Sequence, residues 1–132
     1  MGLSDEEKTE RVELLLEALN TGDYDAAMEA SHPDVVLVRP GGAGELRGSE
    51  QLRGWMEPDA FESQVTEILG LEVEGERVMA LVRSRARGRG SGIEIDIRAW
   101  TVYAFDDRGR FTRVEIYLEH EEAQARRALN AA

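Results

Sequence analysis

Residues 81–98 read LVRSRARGRGSGIEIDIR, and two alternating series meet in them. Arginine stands at 83, 85, 87 and 89, while Ile93, Ile95 and Ile97 alternate with Glu94, Asp96 and Arg98. Successive side chains of a strand point to opposite faces, so each series occupies one face. Residues 88–92, glycine at every second position, supply the turn. Pairing the arginines with the carboxylates across that turn makes one charged, solvated face and sends the isoleucines inward with Val82, Ser84 and Ala86. The opposite register would point the arginines inward, and the sequence leaves that alternative open.

The same pattern extends outward in both directions. Downstream, Ala99, Thr101, Tyr103 and Phe105 share the inner face with the isoleucines, and Trp100, Val102 and Ala104 the outer one. Asp106-Asp107-Arg108-Gly109 is a tight turn, residues 111–118 a last strand, and 119–130 a terminal helix with acids first and Arg126 and Arg127 last. Upstream, residues 65–73 and 77–87 read as strands. Nearer the N-terminus, Ser4 and Glu7 form a capping box, and Val12, Leu15, Leu16 and Leu19 recur at helical spacing. Asn20-Thr21-Gly22 ends that helix and Asp23 caps a second, which His32-Pro33 breaks. Val35 to Val38 form a short buried strand, 40–48 a loop with four glycines, and Ser49 caps a third helix with Leu52, Trp55 and Met56 on one side, closed by Pro58. Helices followed by antiparallel strands predict an α+β fold, the helices packed on one face of a curved sheet, as a single domain over 1–132.

Composition narrows the function. Acidic residues outnumber basic ones 27 to 16, a net charge of −11 that repels phosphate backbones and anionic bilayers, so neither nucleic acid nor membrane is expected as a partner. With no cysteine, disulfides and thiolate chemistry are excluded. The acidic start MGLSDEEK is no signal peptide and no stretch is apolar enough to span a bilayer, so a cytoplasmic protein is the expectation. The preference for arginine over lysine reads as GC-rich bacterial coding.

The stretches LLLEALNTGDYDAAMEASHPDVVLVRPGG, LRGSEQLRGWM and AWTVYAFDDRGRFTRVEIYLE together resemble the SnoaL-like group of the nuclear transport factor 2-like superfamily. The resemblance implies a cone: three N-terminal helices on a strongly curved, mostly antiparallel sheet, with a short C-terminal helix, a pocket inside and pairing of copies through the outer sheet face. It also implies isomerases, polyketide cyclases and epoxide hydrolases as relatives, beside non-catalytic binding domains. The steroid-isomerase mechanism needs a carboxylate base and two neutral oxyanion donors. The alignment places Arg39 at the base, Leu15 at the tyrosine donor and Thr101 at the second donor, and a guanidinium cannot act as a base near neutral pH. Asp96 and Arg98 resemble part of the epoxide hydrolases' Asp-Arg-Asp set, with Ile116 where its closing acid would stand.

Arg39, His32, Trp55, Thr101 and Tyr103 are therefore the candidate pocket residues. Arg39, sharing the parity of Val35 and Leu37, would reach the pocket mouth and hold a carboxylate or carbonyl. His32 reads as a base or a turn cap, Trp55 as pocket wall or core, and Tyr103 as a ligand's hydrogen-bond donor or a core tyrosine. His120 in EHEE lacks a spaced ligand set, and no metal or other cofactor is expected. Trp100, Val102 and Tyr117 on the outer face suggest a homodimer. Three functions follow: a binder of a small apolar or carbonyl- or carboxylate-bearing molecule, an isomerase, cyclase or hydrolase with a non-standard residue set, or a non-catalytic dimerisation module.

Overall fold

A computed structural model describes residues 3–56 and 61–131, apart from the Met56 side chain. The proposed helix stop at Pro58 lies outside the described residues. Helix α1 (Asp5–Thr21) begins at the capping box, where Glu7 N–H donates to Ser4 Oγ and Ser4 N–H to Glu7 Oε1, both at 3.1 Å. It ends at Gly22, whose φ of 76° is the left-handed conformation glycine adopts freely. Asn20, near the same end, bonds both backbone groups of Thr66 at 2.8 and 2.9 Å, fixing the end of α1 to the sheet. Lys8, buried in the first turns, donates to Gly75 O at 2.6 Å and does the same at the other end.

Helix α2 (Tyr24–Glu29) leads into β1 (Ser31–Val38), so His32-Pro33 lies inside the strand and not ahead of it. The glycine loop holds a 3₁₀ turn (Pro40–Gly42) and a short strand, β2 (Glu45–Arg47), before α3 (Ser49–Met56). Then come β3 (Phe61–Glu74), β4 (Arg77–Gly88), β5 (Glu94–Phe105), β6 (Phe111–Leu118), a 3₁₀ turn (Glu119–Glu121) and α4 (Glu122–Asn130). The sheet order is β2-β1-β6-β5-β4-β3, antiparallel except for the parallel pair β1–β6. The result is one curved, unclosed sheet with α1, α2 and α3 on its concave side. No described helix is long and apolar enough to cross a membrane.

Register settles the opening alternation in favour of the outward arginines. Arg85 faces Asp96, Ala86 faces Ile95 and Ser84 faces Ile97. Arg83 grips Asp96 with two bonds of 2.8 and 2.6 Å, and those bonds hold the Asp96 carboxyl below the usual carboxylate range. Glu67 of β3 flanks Arg83 and Arg85 at 3.7 and 3.8 Å.

The inner face carries the core, where Val12, Leu15 and Leu16 meet Val35, Leu37, Val78, Ala80, Tyr103 and Phe111. The outer face is not bare. Ala125 and Leu129 of α4 lie on Met79 and Val102, with Trp100 and Tyr117 at the margin. The patch expected to seat a second copy is thus covered by the chain's own C-terminal helix, and Val102 is only 2% exposed. Arg126, bonded within the helix to Glu122, fastens that helix to β3 by its bond to Glu72 and lies 5.9 Å from the Trp100 ring centre.

Candidate functional site

β6 stops early. Its last pair with β5 is Leu118 opposite Ala99, and β5 runs on toward Glu94 with no strand beside it on that edge among the described residues. The step leaves a cleft of about 610 Å³. Its apolar lining is Pro40, Ile97, Ala99, Ile116 and Leu118, which the pleat and the short β6 bring to one place. Its polar lining is Arg83, Asp96, Arg98, Glu119 and His120. Here Ile97, although on the inner face, is 52% exposed, because no strand lies beside it to cover it.

Arg39 stands elsewhere. The strand ends at Val38 and the Pro40–Gly42 turn redirects the chain, so the inward parity of Val35 and Leu37 stops one residue short. Arg39 N–H donates to Gly44 O at 2.9 Å and its guanidinium to Ala43 O, which clasps the glycine loop. Its Nε is buried and meets no acceptor among the described residues. The side chain borders a smaller cleft of about 430 Å³ with Glu45, Tyr117, Glu121 and Gln124.

The other predicted residues do not gather around either cleft. His32 Nδ1 accepts from Asp34 N–H at 2.9 Å, the turn-capping role. Trp55 is 44% exposed on α3. Thr101 and Tyr103 lie in the core, with Thr101 Oγ1 donating to Ala80 O at 3.4 Å and the Tyr103 ring 5.5 Å from that of Phe111. Leu15, at the position of an oxyanion donor in the isomerases, packs in the same cluster. The deep end of the cone is therefore filled by side chains, and the open space lies nearer its rim. No group of three or more His, Asp or Glu side chains is placed to hold a metal among the described residues.

Burial pushes the Tyr103 hydroxyl up to about 12, against a smaller opposing effect of its hydrogen bond with Thr101. Tyr117 is also pushed up to about 12, by desolvation and by the bond it donates to Glu115 at 3.0 Å. An unfolded tyrosine loses its proton near 10. Between those values the unfolded chain binds fewer protons than the folded one, so stability falls as pH rises. Alkaline titration at constant temperature should show a loss of stability in that window, and Tyr103→Phe should make the loss shallower. Ionisation of Tyr103 and Tyr117 near 10 with the fold intact would contradict the burial.

These elements define a cone-shaped α+β domain, its base filled and its rim open beside a shortened strand. The chain matches the SnoaL-like domain over residues 12–114 and belongs to that family. Comparison with curated proteins gives no match. Among solved structures it is similar to SalBIII, an epoxide hydrolase/cyclase-like enzyme of pyran ring formation in the polyether salinomycin. The TM-score is 0.81 at 17% identity, over 87% of this chain and 92% of the other. An LEH-like epoxide hydrolase of Mycobacterium tuberculosis gives 0.74 at 20% identity, over 90% and 88%. Rv0760c of the same organism, solved with estradiol-17β-hemisuccinate, gives 0.76 at 11% identity, over 86% and 94%. At these identities the likeness is one of fold.

Proposed function

We propose that the protein binds a small, neutral, mostly apolar molecule bearing a carbonyl or hydroxyl oxygen, in the cleft where β6 ends. The observation that carries this reading is the lining itself. Five apolar residues form its floor, and the cleft volume falls in the range of small-molecule sites. Its formal charges cancel, Arg83 and Arg98 against Asp96 and Glu119, and Arg83 is already held by Asp96. With a net charge of −11 behind it, such a lining gives a carboxylate little advantage over a neutral group. His120 brings ring nitrogens to the same lining, which supports a hydrogen bond to a single oxygen.

A steroid has this chemistry, and estradiol beside its 17β-hemisuccinate separates the neutral from the anionic form. Calorimetric titration should give estradiol an affinity at least equal to that of the hemisuccinate. Ile97→Asp, at a position exposed enough to leave the fold intact, should weaken estradiol binding about tenfold or more by placing a carboxylate on the apolar floor. A hemisuccinate preference of tenfold, or an Ile97→Asp variant that binds as the parent does, would count against the reading.

A further inference from the structure

The smaller cleft, about 430 Å³, lies within the size range of small-molecule sites and holds charges that the protein leaves unpaired. It shares Ile116 with the cleft at the end of β6 and is otherwise lined by different residues. Arg39 makes no ion pair among the described residues. Its guanidinium gives one hydrogen bond there, to Ala43 O, and its buried Nε–H gives none. A donor that reaches neither water nor an acceptor carries an uncompensated desolvation cost. Glycine keeps the surroundings open. A Cβ at Gly44, where φ is 100°, would stand 3.3 Å from Arg39 Nη2, and a Cβ at Gly42 would meet nothing within 4 Å. The fork thus has room to turn from Ala43 toward the cleft.

The same lining holds an anion with a free side. Glu121 Oε1 accepts from Leu118 N–H at 2.8 Å, while its other oxygen has no partner among the described residues and forms no ion pair with Arg39. Glu45 is already engaged, at 2.8 Å by Arg47 and at 3.7 Å by Arg113. A lone carboxylate entering here would meet Glu121 and the field of a chain with net charge −11. A lone amine would leave the Nε–H of Arg39 without an acceptor. A molecule that carries both charges escapes both costs.

We propose that the smaller cleft binds a small zwitterion of the α-amino acid class, its carboxylate on Arg39 and its ammonium on Glu121. The carboxylate takes the Nε and Nη hydrogens as a bidentate pair, the grip that Arg83 has on Asp96. Val38 and Ile116, the apolar part of the lining, favour an aliphatic side chain. This site takes a different ligand from the cleft at the end of β6, and its test uses no steroid.

Amide chemical-shift titration of the labelled full chain with L-leucine tests the proposal, beside N-acetyl-L-leucine, which lacks the ammonium, and L-leucinamide, which lacks the carboxylate. L-Leucine should saturably shift residues 41–44 and 121–124 with a Kd of about 1 mM or tighter. Each analogue should bind about tenfold more weakly or worse. Arg39→Gln keeps a donor for Ala43 O, and Glu121→Gln keeps an oxygen for Leu118 N–H, so each removes a charge and spares the local bond. Each variant should weaken L-leucine binding about tenfold, with circular dichroism showing that the fold is kept. No saturable shift at those residues up to ~20 mM L-leucine, an analogue that binds as tightly as L-leucine, or either variant binding it as the parent does would overturn the proposal.

Discussion

Phe111→Ala is expected to lower the free energy of unfolding by about 3–5 kcal/mol, the cost of deleting a fully buried aromatic and leaving a cavity. Phe111 has no exposed surface and opens β6 where three elements meet. Its N–H donates to Ala30 O at 2.9 Å, it stands opposite Ser31 of β1, and its ring lies 4.9 Å from that of Phe105 and 5.5 Å from that of Tyr103. The tilted aromatic contacts add about 0.5–1.5 kcal/mol beyond burial. Against a total stability of about 5–15 kcal/mol for a domain of this kind, the loss should be plain in urea unfolding followed by far-ultraviolet dichroism. A loss below about 1 kcal/mol would mean that this junction does not organise the core.

Leu129→Asp should undock α4. Leu129 is 5% exposed and sits with Ala125 over Met79 and Val102. A carboxylate there would lie among apolar side chains, with the nearby Arg77 guanidinium already engaged by Ala128 O at 2.8 Å, and burying it costs several kcal/mol, so the helix leaves the sheet before it accepts the charge. Release would also free Trp100, whose indole N–H donates to Glu119 O at 3.0 Å and whose ring lies under Arg126. The expected result is a loss of about 2–4 kcal/mol, a red-shifted tryptophan emission and new binding of an apolar dye to the uncovered face. Unchanged emission and no dye binding would show that α4 is not what covers that face.

Much of the sheet can be read from the sequence because alternation carries it. The β6 range is the one its apolar spacing predicts, and the arginine–carboxylate match favours the register of β4 and β5 that the structure has, although the sequence leaves the other open. A register slip would have turned Ile95 and Ile97 out and the arginines in. The overhang of β5 is also implicit, since the sequence predicts a strand over 93–105 hairpinned to a shorter one over 111–118. What local pattern cannot carry is anything decided across the chain. The three residues of β2 lie between glycines and become a strand only through pairing with β1. The apolar positions of α4 are mostly alanines, which mark a face without saying which side of the sheet it will meet. Arg39 shows the limit most sharply: strand parity predicts its direction only while the strand lasts, and Pro40 ends it. Of the predicted site residues, Thr101 and Tyr103 went to the core, because the inner face of β5 is pocket wall only where β6 fails to cover it.

The central claim is that the site of the neutral ligand is the cleft at the end of β6 and not the glycine loop of Arg39. Amide chemical-shift mapping of the labelled chain during titration with estradiol addresses it directly. The account predicts a contiguous set of perturbed resonances at Ile97, Ala99, Ile116, Leu118 and His120, the residues that line the cleft. Perturbations confined to residues 41–44 and Arg39, or none at all at saturating estradiol, would contradict it.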